Sequence, residues 1–198
     1  MERNKIFIGS RASKLALIYA NKAKQEISKH FNGEIIIKEI STKGDNQLDV
    51  RLSELGGKGL FSKNIETELI NKNIDVAVHA LKDLPTYETE GLITNCFLKR
   101  NNPNEVLISN SNRKLKELVP GSIIGTSSFR REFQLKRIRK DLNFKLIRGN
   151  VDTRIKKLKK GEYDAIVLAK AGLSSLNLEN EITQEFSIKD LVPSAGQG

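Results

Sequence analysis

The sequence has little cysteine and histidine, and it lacks any long hydrophobic run. Cys96 is the only cysteine among 198 residues, which excludes a disulfide within the chain and a metal site built on cysteines. The two histidines, His30 and His79, form no ligand cluster, so we expect no metal. The first residues, MERNKIFIGS, contain no apolar stretch long enough for a signal peptide, and no run approaches the ~20 residues that cross a bilayer. These absences predict a cytoplasmic protein with no membrane partner.

Basic residues exceed acidic ones, and the excess is local. The net charge is +10; residues 130–160 hold 13 Lys and Arg against 3 Asp and Glu, while the rest of the chain holds 21 of each. Such a patch could bind a nucleic-acid backbone or small polyanions, or it could be a solvated helix face. Aromatic residues are scarce around it, so no platform for stacking bases is expected. We favour solvated helix faces for Lys136, Lys140, Lys156, Lys157, Lys159 and Lys160.

The pattern of apolar residues predicts an α/β fold. Strands are predicted at 5–10, 34–41, 75–81, 92–98, 105–109, 122–127, 144–149 and 164–172. Helices are predicted at 12–31, 59–73, 128–140, 151–161 and 171–177. Strands that alternate with helices indicate a parallel sheet with helices on both faces. The polar cluster KRNNPN, residues 99–104, is the candidate crossover between two halves.

Polar motifs follow five of the predicted strands. They are IGSRAS, STKGD, HALKDLP, IGTSSFRR and LIRGNVDTR. Each motif alone is equally consistent with a helix cap or a turn, because Ser10 or Ser13, and Ser127 or Ser128, are residue types that cap helices. Two α/β units joined by extended crossovers would leave a cleft, and ligands of such folds lie at the carboxyl ends of strands. The convergence of five motifs therefore favours a binding cleft.

The chemistry of these motifs predicts an anionic ligand. Arginine offers a planar fork of donors that matches a carboxylate or a phosphate. The sequence GTSS, which leads into a helix, adds backbone N–H groups and the positive end of the helix dipole. The arginines expected to line the cleft are Arg11, Arg130, Arg131, Arg148 and Arg154.

Asp83 is a lone carboxylate among these cations. Positive neighbours favour its ionised form, and its useful role is to face positive charge that develops on a substrate. An anionic substrate with a cationic transition state is a narrow chemical class. The loop GGKGLF, residues 56–61, lacks the order of residues of a phosphate-binding loop and fits a mobile lid instead. We expect His79 to be a packed strand-end residue and Cys96 a small buried hydrophobe.

The motifs together resemble those of the porphobilinogen deaminase, or hydroxymethylbilane synthase, family. The resemblance runs in order through IGSRASKLAL, STKGD, GGKGLFSKNIE, DVAVHALKDLPT, IGTSSFRREFQL, LIRGNVDTRIKKLKKGEYDAIVLAKAGL and VPSAGQG. It implies a transferase of haem and other tetrapyrrole biosynthesis. Such an enzyme condenses four porphobilinogen units head to tail into hydroxymethylbilane and releases ammonia. Loss of ammonia gives a cationic azafulvene, which the terminal pyrrole carbon of the growing chain attacks.

The resemblance also implies a role for each motif residue. Asp83 matches the catalytic aspartate, which stabilises pyrrole N–H groups and the cation. The matching binding residues are Arg11, Ser13, Lys58, Phe61, Lys82, Thr126, Ser127, Ser128, Arg130, Arg131, Arg148, Arg154 and Gln197. Lys58 and Phe61 belong to the matching lid loop. The implied cofactor is dipyrromethane, held through a thioether by a cysteine of a third domain.

The family resemblance implies two α/β lobes like those of type II periplasmic binding proteins, with an interdomain cleft. Domain 1 is expected at 1–98, without its returning C-terminal segment, and domain 2 at 99–194, while 195–198 would begin the return to domain 1. Cys96 is in the wrong place for the primer cysteine, so the chain is expected to be truncated, without the primer-carrying domain. Ala80 stands where the family often has serine, and Ser174-Ser175 where many members carry a basic residue.

Two other functions stay open at this point. A two-lobed binding protein for a small carboxylated ligand would use the same arginines but would need neither Asp83 nor a primer. A nucleic-acid binder would use residues 130–160 and show steep salt dependence. For the enzyme, we expect a monomer acting on a small molecule, with no nucleic-acid partner.

Overall fold

The computed structural model describes residues 4–42 and 62–198. The described residues divide into two compact units, unit 1 up to Lys99 and unit 2 from Arg100 to Gly198. The domain limits expected from the sequence, and the cleft between the domains, stay predictions. Each unit is therefore treated by itself below.

The described part of unit 1 is a parallel sheet of order β2-β1-β3 with flanking helices. Its elements are β1 (Lys5–Ser10), α1 (Lys14–Ile27), β2 (Glu34–Glu39), α2 (Lys63–Ile70) and β3 (Val76–Ala77). Strand β1 pairs in parallel with both neighbours. Lys5 lies opposite Glu34 of β2, and Gly9 lies opposite Ala77 of β3. The apolar side of α1 packs on this sheet because Ala20 lies against Ile8 and Ile35 in one buried cluster.

Unit 2 is a mixed sheet of order β6-β5-β7-β4-β8. Its elements are β4 (Glu105–Ser109), β5 (Ile123–Gly125), α3 (Phe129–Ile138), β6 (Asn143–Lys145), α4 (Val151–Lys159), β7 (Ala165–Ala169), α5 (Lys170–Ser175) and β8 (Gln184–Glu185). Strands β5, β6 and β7 run in parallel, whereas β4 is antiparallel to both β7 and β8.

Helices cover both faces of this sheet, so its central strands read as continuous apolar runs. Successive side chains of a strand point to opposite faces. In β4, Leu107 joins a cluster with Leu135 of α3, while Val106 and Ile108 join a second cluster with Leu158 of α4. Burial on both sides explains why EVLIS and AIVLA show no alternation of polar and apolar residues.

The α/β class and most elements predicted from the sequence are confirmed, and four predictions are wrong. Unit 2 is not wholly parallel, because β4 is reversed. Residues 92–98 form no strand: the segment has no regular secondary structure, and Ile93 is 74% and Phe97 66% exposed. Cys96 in this segment is exposed rather than buried. Strand β3 is also much shorter than predicted and ends before Val78.

Candidate functional site

The carboxyl ends of β1, β2 and β3 lie at one edge of unit 1, because these strands are parallel. Arg11 and Ser13 follow β1 directly, and both are half-buried. Lys82 and Asp83 lie in a 3₁₀ turn, Leu81–Asp83, after β3. Proline disfavours the helical conformation of the residue before it, so Pro85 helps to end the turn, and Leu84 is extended with ψ 149°. Asp83 is half-buried and Lys82 is exposed.

Ser13 is the N-cap of α1. Its Oγ accepts a hydrogen bond from the backbone N–H of Ala16 at 3.3 Å. The structural reading of Ser13 as a cap is therefore confirmed, while its role in ligand binding stays a prediction. The cap fixes where α1 begins and so holds Ser13 two residues from Arg11 at the strand edge.

His79 lies between β3 and Asp83 and is half-buried. Its Nε2 atom is buried and has no hydrogen-bond partner within residues 4–42 and 62–198. Burial lowers the pKa of His79. The charges of Glu66 and Asp83 act to raise this pKa, whereas the charge of Arg11 acts to lower it. The net lowering favours neutral imidazole, so the cationic character of this edge comes from Arg11 and Lys82. The expectation of a packed histidine agrees with this burial.

The corresponding edge of unit 2 carries the hydroxyl residues after β5. Thr126 is 1% exposed, and its Oγ1 accepts a hydrogen bond from the backbone N–H of Ser128 at 3.2 Å. Ser128 is the N-cap of α3 and accepts from the backbone N–H of Arg131 at 3.4 Å. Ser127 lies between them and is half-buried. These bonds place the amino end of α3, with its positive dipole, at the carboxyl edge of the sheet.

Arg130 and Arg131 share one buried carboxylate, Glu105. Glu105 Oε1 lies 2.6 Å from Arg130 Nη2, and Oε2 lies 2.7 Å from Arg131 Nη2. Burial acts to raise the pKa of Glu105, but the charges and hydrogen bonds of Arg131 and Arg130 outweigh it and lower the pKa. The guanidinium groups are thus fixed by the protein itself. That both also hold substrate carboxylates stays a prediction.

Arg148 and Arg154 flank a glycine turn between β6 and α4. Arg148 is 4% exposed, and Arg154 is half-buried, with its Nε donating to the backbone carbonyl of Gly149 at 2.7 Å. Gly149 has φ +108°, in the region that favours glycine. A Cβ there would also meet Thr153 Cγ2 at 2.8 Å. The turn therefore needs glycine to bring both arginines near the end of β6.

The remaining predicted residues fall in different places. Gln197 is 1% exposed, and its Nε2 donates to the carbonyl of Pro103 at 2.7 Å within unit 2. Lys58 and Phe61 lie outside the described residues, as does the predicted lid loop. Of the lysines assigned to solvated faces, Lys157 is half-buried and the others are exposed. Ser174 lies in α5 and bonds to Glu179 at 2.6 Å.

Apart from Gln197, and from Lys58 and Phe61 outside the described residues, the predicted residues lie in two groups, one at the strand edge of each unit. Sequence reasoning missed Glu105, because a charged residue at the start of an apolar strand reads as a boundary. Its importance depends on the reversed direction of β4, which no sequence signal shows. Within residues 4–42 and 62–198, no group of three His, Cys, Asp or Glu could hold a metal ion. No helix in the same ranges is long and apolar enough to cross a membrane.

Comparison with known proteins gives consistent relatives. A family model described as porphobilinogen deaminase, dipyromethane cofactor binding domain, matches residues 6–198. Porphobilinogen deaminases of Bacillus thuringiensis (strain Al Hakam) and Bacillus cereus (strain AH820) are each 50% identical over 196 residues. That alignment covers 98% of this chain and 63% of each relative. The chain therefore spans a little less than two thirds of their length.

Solved structures agree with the fold. An arginine-specific periplasmic binding protein of Salmonella typhimurium is similar with a TM-score of 0.51 and 12% identity, over 97% of this chain and 83% of that one. The zinc-bound ligand-binding component of an ABC-type import system from Staphylococcus aureus has a TM-score of 0.51 and 13% identity, over 98% of this chain and 64% of that one.

Fold and sites together define a two-unit α/β protein of the type II periplasmic-binding-protein fold, with arginine-rich strand edges. The structural likeness fixes the fold alone, whereas the family match extends over almost every residue. The chain belongs to the porphobilinogen deaminase family.

Proposed function

We propose that this chain forms the substrate-handling part of a hydroxymethylbilane synthase, a transferase that joins porphobilinogen units head to tail and releases ammonia. The observation that carries the proposal is the family match over residues 6–198. The two strand edges supply the chemistry that this reaction needs. Porphobilinogen carries acetate and propionate groups, and both edges present arginine and hydroxyl donors.

In unit 1, Asp83 serves as the catalytic carboxylate. It lies on a short turn that only three residues separate from β3, so its position is tied to the sheet. A fixed carboxylate stabilises positive charge that develops on a pyrrole when ammonia leaves, and it accepts hydrogen bonds from pyrrole N–H groups. Arg11, Ser13 and Lys82 bind substrate carboxylates beside it. Lys58 and Phe61 would cover the bound substrate.

In unit 2, Thr126, Ser127, Ser128 and the arginines hold carboxylates of the substrate or of the dipyrromethane group. A buried donor supports this fit: Arg131 Nε has no hydrogen-bond partner among the described residues. When bound, dipyrromethane supplies the pyrrole carbon on which the chain grows. No cysteine follows Cys96, so unit 2 has no thiol for a thioether bond. Residues of this chain therefore hold the group through its carboxylates only, with Arg148, Arg154 and Gln197 completing the set.

The direct test joins this chain to the last third of the Bacillus cereus relative and measures two quantities. The enzyme predicts that added porphobilinogen is converted into a linear tetrapyrrole and that the purified protein carries the added mass of dipyrromethane. A binding protein for a small carboxylated ligand predicts reversible binding of porphobilinogen with no added mass and no product. Unjoined chain serves as the control for background binding.

Location and assembly are parts of the same proposal. We place the protein in the cytoplasm as a monomer, with porphobilinogen as its small-molecule partner. The basic residues between 130 and 160 then serve as solvated surface rather than as a nucleic-acid site. Binding to generic RNA or DNA that persists at moderate salt would argue against that assignment.

A further inference from the structure

The reversed strand of unit 2 brings a carboxylate to the anion-binding edge. Glu105 is the first residue of β4 and lies opposite Ala169, the last residue of β7. Because β5, β6 and β7 run the other way, the amino end of β4 meets their carboxyl ends. Glu105 is thus in the same row as the ends of the strands that Thr126 and Arg148 follow. Its side chain is 0% exposed.

Each arginine is held from two sides. Arg131 donates through Nη2 to Glu105 and through Nη1 to the carbonyl of Val167 at 3.0 Å. Arg130 donates through Nη2 to Glu105 and through Nη1 to the carbonyl of Val192. A guanidinium bound at two nitrogens cannot rotate about its stem without breaking a charge-assisted hydrogen bond. Glu105 therefore fixes the planes of both groups.

One buried donor of this pair makes no hydrogen bond among the described residues. Arg131 is 7% exposed, and its Nε is buried without a partner among the described residues. A buried N–H that makes no hydrogen bond is costly, and an incoming carboxylate oxygen would satisfy it. The charge agrees, because two arginines and one glutamate leave a single positive charge, which suits one carboxylate rather than a dianion.

We propose that Glu105 is a positioning residue that holds Arg130 and Arg131 so that the Arg131 Nε–H receives a substrate carboxylate. This inference rests on the proposed function for the identity of the ligand. The arrangement of the arginines without ligand does not depend on the proposed function. The inference and the proposed function can therefore fail separately.

The experiment uses arginine-labelled 198-residue chain and follows the side-chain Nε–H signals by NMR, assigned with Arg131→Lys. The variants are Glu105→Gln, which removes the charge, and Glu105→Asp, which keeps it on a shorter side chain. Glu181→Gln is the matched control, because Glu181 is another ion-paired carboxylate of unit 2, bound to Lys159. Porphobilinogen is then titrated into each chain.

We expect the Nε–H signal of Arg131 to move when porphobilinogen binds to the original chain. Glu105→Gln should shift or broaden both arginine signals without ligand and weaken binding about tenfold or more, since charge-assisted bonds fix the donors. Glu105→Asp should recover part of the affinity, and Glu181→Gln should change neither signal nor affinity.

Four results would overturn all or part of the inference. Unchanged affinity in Glu105→Gln with only lower stability means that Glu105 is purely structural. Tighter binding means that Glu105 competes with the ligand for the arginines. If Glu105→Gln does not fold, Glu105→Asp decides, and unaltered affinity with unaltered arginine signals contradicts positioning. No porphobilinogen binding by the original chain, with arginine signals that still depend on Glu105, would overturn the proposed function and the ligand part of the inference while the positioning stands.

Discussion

Gly9 in β1 is a glycine because unit 1 leaves no room for a methyl group there. A Cβ would lie 2.3 Å from Ile74 Cδ1 and 3.0 Å from Ile40 Cδ1. Ile74 is itself 2% exposed, so its side chain has little space to move. The absence of a side chain at Gly9 lets α2 and the segment before β3 pack against the sheet. Gly9 is one residue from the end of β1, which Arg11 follows.

Gly9→Ala should therefore destabilise the protein by about 1–3 kcal/mol, the usual cost of forcing extra volume into a packed core. Urea unfolding followed by circular dichroism measures the change. The double variant Gly9→Ala/Ile74→Val removes the Cδ1 atom nearest to the new methyl group and should recover part of the loss. Equal stability of Gly9→Ala and the original chain would show that the sheet can shift to accept a methyl group.

Glu105 links stability to pH. Its pKa in the folded chain lies below its ordinary value of 4.5, because Arg131 and Arg130 outweigh the effect of burial. As pH falls, the unfolded chain takes up this proton first. The stabilisation from Glu105 is thus fully present above pH 4.5 and is lost as pH falls through the folded-state pKa.

We predict that the free energy of unfolding falls as pH decreases below 4.5 and that Glu105→Gln flattens this dependence. At neutral pH the same variant should lose roughly 3–5 kcal/mol, because it leaves buried arginine charge without its carboxylate. Urea titrations between pH 7 and 3 measure both effects. An identical pH dependence of the unfolding free energy in both chains would contradict the assignment of this dependence to Glu105. It would leave the dependence to carboxylates that both chains keep, such as Glu185, whose pKa is also lowered.

At the scale of elements, two serines that cap helices are also residues for which we propose a role in ligand binding. Ser13 caps α1 and Ser128 caps α3, and both helices begin at the carboxyl edge of their sheet. A serine at this point can satisfy the helix and still present a hydroxyl nearby. Replacement by alanine removes both functions at once, so a different substitution is needed to separate them.

Ser13→Asp separates them, because aspartate also caps helices but repels a carboxylate. We expect Ser13→Ala to lose about 1 kcal/mol of stability and Ser13→Asp to lose little. Both variants should bind porphobilinogen more weakly than the original chain does, and Ser13→Asp should bind it more weakly than Ser13→Ala. Calorimetric titration and thermal unfolding measure the two quantities. Full binding by Ser13→Asp would show that Ser13 acts only as a cap.

The segment 92–99, which has no regular secondary structure, predicts the reactivity of Cys96. The thiol is exposed and no ladder hydrogen bond covers its segment. A thiol reagent should therefore modify one cysteine per folded chain at the rate of an unfolded model peptide. Cys96→Ser is the control and should give no reaction. Modification that needs denaturant would show that the segment is covered.

Sequence patterns predicted which segments form helices and strands better than they predicted the directions of the strands. The apolar runs of β4 and β7 were predictable because both faces of the sheet are covered. The reversal of β4 was not, because a buried strand carries the same residues in either direction. Residues 92–98 were mistaken for a strand because apolar content alone does not supply a pairing partner. The motif residues at strand ends were predictable because caps, turns and arginines leave local signals, whereas the contact of Glu105 with Arg130 and Arg131 is long-range.

At the scale of the whole molecule, charge is placed where the proposed chemistry needs it. Each unit ends its strands in arginine and hydroxyl donors, and Asp83 in unit 1 is the carboxylate assigned to the reacting ring. Lys136 of α3 and Lys156 and Lys159 of α4 are exposed and carry part of the net charge of +10. The account therefore depends most on Asp83.

The most direct measurement is the rate of tetrapyrrole formation by the joined protein with Asp83→Asn. Removal of a fixed charge that stabilises the cationic transition state more than the bound substrate should lower kcat by about 10²–10³, a larger effect than any change in KM. Glu90→Gln, which alters an exposed carboxylate of the same unit, is the control and should keep the original rate. A rate close to the original in Asp83→Asn would contradict the assignment of Asp83 as the catalytic carboxylate.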